Sequence, residues 1–171
     1  YNVVIGTDAH TSAAGSNYQI VIGNGCVGQG DNYASIGKAG SYYYIDFSAG
    51  GKTWLYSSDE RLKRDINSFD KLGLDFINKT NPVTYYWKPS NEVPKELTNY
   101  YFEENVKDTN VLNYGFIAQD VKKALEDAGV ADFPIVDADK DGALGVGMGT
   151  FMIPVINAIK ELSAQVEELK A

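Results

Sequence analysis

Cysteine and histidine are nearly absent from this chain of 171 residues, which has one of each, Cys26 and His10. A lone cysteine excludes an internal disulfide, and with a single histidine there is no zinc cluster to assemble. Cys26 lies in a β-reading stretch and reads as a packed core residue, not a reactive thiol. His10 sits among small polar residues without an acid at useful spacing and reads as a loop residue. No run approaches the roughly 20 apolar residues of a membrane span, and the first residues lack the charged-then-apolar order of a signal peptide. No more than two basic residues are adjacent and the formal net charge is −8. Both facts speak against a nucleic-acid partner.

What is present is enough for a core: 44% of the residues are hydrophobic, which argues against wholesale disorder and allows one domain or two small ones. The charge is uneven. Residues 1–57 hold three acids and two bases, so nearly all the negative charge falls on residues 58–171.

The first half is punctuated by three Ile-Gly pairs, Ile5-Gly6, Ile22-Gly23 and Ile36-Gly37. Two near-identical turns, Gly15-Ser16-Asn17-Tyr18 and Gly30-Asp31-Asn32-Tyr33, can each reverse a short strand, since glycine and asparagine accept positive φ. Short strands repeated in this way predict stacked coils that share one core. A phosphate cradle is the other use of such glycines, but no Gly-x-x-x-x-Gly-Lys-Ser/Thr run is present. Residues 41–47 and 52–56 then read as two strands rich in aromatic and β-branched residues, joined by a turn over 48–51. A thin stack of this kind buries little surface alone, and three copies would supply the missing core. The chain opens in mid-strand at Tyr1, as the C-terminal piece of a longer protein would.

The run Ser57-Ser58-Asp59-Glu60-Arg61-Leu62-Lys63 is where the composition changes. Ser58 is a candidate nucleophile and Lys63 its candidate base: a neutral amine can take a hydroxyl proton once burial has lowered its pKa. The scissile bond would be Ser57–Ser58. The competing reading is a capping box, Ser57-x-x-Glu60, opening a helix. In a regular helix Ser58 and Lys63 would stand roughly 140° apart and could not meet.

Farther on, Ser68 is expected to cap a short helix with Phe69, Leu72, Phe76 and Ile77 on one side, and Val83 to Trp87 to form a strand. Residues 89–110 read as a polar, irregular insertion. Ile117, Val121, Ala124 and Leu125 make the apolar stripe of a second helix that Gly129 ends. Gln119, at its edge, could orient a catalytic group or simply be solvated. Asp137-Ala138-Asp139-Lys140-Asp141-Gly142 resembles the start of an EF-hand loop, but the twelfth position is Met148 instead of glutamate. An acidic turn between two strands is the better reading. Met152, Val155, Ile159, Leu162, Val166 and Leu169 alternate by three and four, the a/d seam of a coiled coil, with Pro154 in the first turn. The seam fits self-association, a trimer by preference, or an amphipathic helix laid on its own domain.

The first half resembles the head repeats of trimeric autotransporter adhesins, through its Ile-Gly pairs and Gly-x-Asn turns, although Tyr18 and Tyr33 replace the usual serine. Residues 55–171 resemble the C-terminal intramolecular chaperone auto-processing domain of phage endosialidases, tail spikes and tail fibres. The residues that carry this are Ser58-Asp59-Glu60-Arg61-Leu62-Lys63, Tyr85-Tyr86-Trp87-Lys88, Gly115 to Val121, and Ile159-Lys160-Glu161-Leu162. Asp120 stands in place of the common glutamate, and Met152 and Ile153 in place of frequent leucines.

The resemblance implies a β-rich trimeric stalk over residues 1–57. An α+β chaperone module would follow over 58–171, ending in a trimeric coiled-coil helix. It implies a homotrimer whose folding client is the stalk of the same chain, and self-cleavage by a Ser58–Lys63 dyad, with Asp59 and Arg61 supporting the loop. The mature fibre would belong to a virion and could meet a host cell-surface receptor, and the chaperone part would be released in the host cytoplasm. No cofactor is implied. A permanent trimeric receptor-binding tip without proteolysis is the alternative. Nucleotide binding, which the resemblance also raises, lacks any Walker-type loop here.

Overall fold

The computed structural model describes residues 1–48 and 53–170. The chain is a small α+β protein that divides into two compact units, Tyr1–Ile66 and Asn67–Ala171.

The first unit is a stack of short strands. Strands β1 (Val3–Ile5), β2 (Ile20–Ile22) and β3 (Tyr33–Lys38) run parallel, with Val3 opposite Ile20 and Ile20 opposite Ala34. The three Ile-Gly pairs therefore fall in register. Gly6, Gly23 and Gly37 all adopt positive φ (133°, 129° and 155°). A β-carbon on Gly6 would stand 2.6 Å from the carbonyl oxygen of Gly23, and one on Gly23 would collide with the carbonyl of Gly37. Glycine is thus required twice over, by conformation and by the close approach of the next coil. Val21 and Cys26 are fully buried in the stack, and burial pushes the Cys26 thiol up.

The third Ile-Gly pair does not lead into a further coil. After β3 the chain reverses through Ala39-Gly40, with Gly40 at φ 70°, into β4 (Ser41–Asp46), which pairs antiparallel with β3. β5 (Leu55–Tyr56) pairs antiparallel with β4. The second expected strand is thus shorter than 52–56, and its Lys52 and most of the expected 48–51 turn lie outside the described residues. The register lines up Ile5, Ile22, Ile36, Tyr43 and Tyr56 across all five strands. All but Ile22 are exposed.

Among the described residues the second unit holds three α-helices and two antiparallel strand pairs. Helix α1 (Leu74–Lys79) does not begin at Ser68: Gly73 is its N-cap residue and offers no side-chain cap. The orphan N–H of Leu74 is instead donated to Glu161 Oε2 at 2.8 Å, from the C-terminal helix. A β-carbon on Gly73 would collide with that carboxylate. Strands β6 (Val83–Tyr85) and β7 (Asn113–Gly115) form one antiparallel pair.

Helix α2 (Ala118–Asp127) buries Ala118, Val121, Ala124 and Leu125. Ile117 is not part of that stripe; it is the N-cap residue, extended and exposed. The helix ends in a Schellman motif: Gly129, at φ 69°, donates to the Glu126 carbonyl, and Val130 to the Leu125 carbonyl. β8 (Val136–Ala138) and β9 (Leu144–Val146) make a hairpin around the acidic turn. Helix α3 (Met152–Lys170) closes the chain.

The core gathers Leu72, Phe76, Val121, Ala124, Leu125, Val130, Ile135 and Phe151. Phe151 stacks on Phe116 with ring centroids 4.8 Å apart, and a second stack joins Phe69 to Phe133 at 5.1 Å. Among the described residues no helix is long and apolar enough to cross a membrane.

Candidate active site

Beyond β5 the chain makes one tight turn. Asp59 is extended (φ −64°, ψ 134°) and caps a single 3-10 turn over Glu60–Leu62. Its Oδ1 accepts from the Arg61 backbone N–H at 2.9 Å. The helix start therefore belongs to Asp59 and not to the Ser57-x-x-Glu60 box. The Arg61 guanidinium returns to the same carboxylate: Nε donates to Oδ1 at 2.9 Å and a terminal nitrogen to Oδ2 at 2.5 Å. This pairing holds the Asp59 carboxyl below its ordinary value, with the guanidinium the larger cause and the backbone N–H the second. The same contact raises Arg61.

Only one turn forms, because Lys63 is already extended (φ −119°, ψ 152°) while its N–H closes the turn on the Glu60 carbonyl at 2.9 Å. The 140° separation of a regular helix never arises. Lys63 folds back across the turn, and its Nζ donates to Ser58 Oγ at 2.7 Å. The structure thus brings together Ser58, Lys63, Asp59 and Arg61, with Ser57 immediately before them. All five residues are solvent-exposed. In this arrangement the amine donates to the hydroxyl. Proton abstraction needs the opposite polarity, in which a neutral amine accepts from the O–H.

The seam residues belong to α3. Met152, Ile159, Leu162, Val166 and Leu169 are exposed and Val155 is half-buried. A neighbouring side of the helix faces the core through Pro154 and Ala158, continuing from Phe151 just before it. Two polar residues of that side hold the segment leading into α1. Asn157 Nδ2 donates to the carbonyls of Phe69 and Leu72, both at 3.0 Å, and Glu161 caps Leu74. Sequence reading missed both, because their partners lie more than 80 positions away and leave no local signal.

The acidic turn has a structural use as well. Asp139 Oδ1 accepts from the N–H groups of Asp141 and Ala143 at 2.9 and 3.0 Å. Asp141 Oδ2 accepts from Thr98 Oγ1 at 2.6 Å and from the Asn99 N–H at 3.2 Å. The polar insertion is thereby clasped to the hairpin. Burial works to raise Asp139, but the Asp141 and Ala143 N–H groups, with Tyr100 and Asn99, outweigh it and lower the carboxyl. Asp141 is lowered too, by the Thr98 hydroxyl first and then by Lys140. Among the described residues no group of histidine, cysteine and carboxylate side chains could hold a metal ion.

Residues 58–130 match the family model described as the chaperone of endosialidase, a family of self-cleaving peptidases. No curated protein matches the chain. The match opens at Ser58 and ends at Val130, so that the Ser58–Lys63 turn, α1, the β6–β7 pair and α2 all fall within it. Over residues 58–130, then, the chain is similar to the chaperone-of-endosialidase family.

Proposed function

We propose that residues 58–171 form an intramolecular chaperone, which gathers three copies of the chain, assists folding of the β-rich stalk, and then cuts itself free at the Ser57–Ser58 bond. The carrying observation is the 2.7 Å contact between Lys63 Nζ and Ser58 Oγ. Ser58 is the nucleophile and Lys63 the general base.

In the reaction Ser58 Oγ attacks the Ser57 carbonyl carbon, and Lys63 moves the hydroxyl proton to the Ser58 amide nitrogen as the C–N bond breaks. The product is an ester between the Ser57 carbonyl and Ser58 Oγ, with a free amino group on Ser58. One water then hydrolyses the ester, leaving a carboxyl at Ser57. Nucleophile and carbonyl are neighbours in the chain, so the attack carries no encounter cost.

Lysine serves as a base only when its ammonium form is disfavoured, which exposed surroundings do not achieve. Assembly of three chains supplies the missing burial, so cutting follows assembly. The Asp59–Arg61 pair keeps the turn short enough for Lys63 to reach back. Three chains intertwining over long sequence separations fold slowly with open strand edges, and a module that gathers them lowers that barrier. The client stalk would belong to a phage tail fibre or spike.

The exposure of the dyad in the single chain favours one other reading, a permanent trimeric tip that never cuts. Expression of the wild type beside Ser58→Ala and Lys63→Ala decides between them. Self-cleavage predicts two fragments from the wild type and full-length chain from both variants, whereas equal full-length chain in all three removes the self-cleavage reading.

A further inference from the structure

The second unit holds an open groove of about 710 Å³ that the cleavage chemistry leaves unused. One wall is aromatic, with Tyr86, Trp87 and Tyr114 all exposed. The other wall is β9, and the way β9 enters the groove limits what fits.

A strand that shows a face to a groove contributes alternate residues. Here Leu144, Gly145 and Val146 line it consecutively, so the groove runs along the strand's edge. Among the described residues β9 pairs with β8 alone. In that ladder the Asp139 N–H bonds the Ala143 carbonyl at 2.9 Å, and the Gly147 N–H bonds the Ile135 carbonyl at 2.7 Å. Alternation makes Asp137 and Gly145 the bonded pair between them, so the N–H and C=O groups of Leu144 and Val146 point away from β8. Such an edge is a template for one more extended strand.

Charge narrows the choice further. The chain has 23 acids against 15 bases, yet among the described residues the only charged side chains lining the groove are Lys88 and Lys107. Lys107 already lies over the Trp87 ring, 4.6 Å from its centroid. A fitting strand is therefore aromatic or aliphatic and carries a carboxylate. Among the described strands only β4 combines aromatic side chains with an acid. Its alternation puts Tyr42, Tyr44 and Asp46 on one side and Tyr43, Ile45 and Phe47 on the other.

We propose that this groove receives the extended segment 41–47 of a second copy of the chain, paired along the β9 edge with Asp46 toward Lys88 and Lys107. The proposal rests on the chaperone reading above: β4 is paired on both sides in the finished sheet, so a free segment belongs to a copy whose stalk has yet to close. The groove holds that aromatic strand out of wrong pairings until its own sheet is ready.

The test is fluorescence anisotropy of a labelled peptide of residues 38–48, titrated into the full-length Ser58→Ala chain. Saturable binding at one peptide per chain is expected. It should weaken at least tenfold when the peptide carries Asp46→Asn, and likewise when the protein carries Lys88→Glu with Lys107→Glu. Leu144→Pro removes only an N–H that the hairpin does not use, and it should weaken binding while circular dichroism stays unchanged. If that variant does not fold, the Asp46→Asn peptide still decides the matter. No saturable binding, or equal binding of a scrambled or Asp46→Asn peptide, overturns the proposal. Cleavage of the wild type without peptide binding overturns the groove alone. Peptide binding without cleavage leaves the groove standing and removes the self-cleavage reading.

Discussion

Asp59 has three bonds to one arginine, and that small arrangement decides where the Lys63 amine goes. One carboxylate caps the turn and holds the guanidinium, and Lys63 leaves the turn extended just after Leu62. Asp59→Ala should therefore slow the cut about 100-fold, the order expected when a reacting group is misplaced by about 1 Å. Assembly, read by sedimentation, should be unchanged, and Asp59→Asn should fall between the two because it keeps the cap and loses the charge. Acid should act through the same carboxyl. Its folded value is depressed, so its support is complete above about pH 4 and is lost as pH falls through the lower folded value. A proton titration of the Asp59 side chain by NMR, giving a midpoint below the ordinary carboxylate value, checks the sign. The residues of this site were legible in the sequence as a set. Their meeting was not, because spacing alone cannot tell a single 3-10 turn from the start of a longer helix.

At the scale of elements, the strongest local signals held. The Ile-Gly pairs stacked, Gly129 ended α2, and the acidic run became a hairpin turn. The errors came where a distant group replaced a local one. Ser68 is a good cap by composition, but α1 starts later and is capped by Glu161 across 87 positions. Glu161→Ala should destabilise the second unit by about 1 kcal/mol, the usual loss of a helix cap. Gly73→Ala should cost about 1 kcal/mol as well, since its new β-carbon displaces the Glu161 carboxylate and with it the cap. Thermal unfolding of both variants and of the double mutant would show whether the two losses share one contact. Ile36-Gly37 closes the parallel stack. It repeats the local pattern of the earlier pairs, and only its pairing with Tyr43 and Tyr42 shows that the parallel stack has ended.

On the scale of the whole molecule, the apolar surface left open by one chain is the central fact. Met152, Ile159, Leu162, Val166 and Leu169 remain exposed along α3, and Ile5, Ile36, Tyr43 and Tyr56 along the stack. A helix of this kind, 19 residues long, draws most of its stability from packing of its apolar face. A neighbouring side already packs on the core, so the exposed seam is free for partner copies. Ile159→Glu with Leu162→Glu should shift sedimentation from trimer to monomer. It should also abolish cutting while Ser58 and Lys63 are untouched, if burial by assembly is what activates the amine. The heptad pattern was readable from sequence because it lies within one helix. The number of chains was not, since the same seam serves dimers and trimers.

The most direct measurement is the intact mass of the C-terminal product from the wild-type chain after assembly. A fragment that starts at Ser58 and carries a free amino group is the predicted result. A full-length mass in assembled protein, or a fragment that starts anywhere else, contradicts the account.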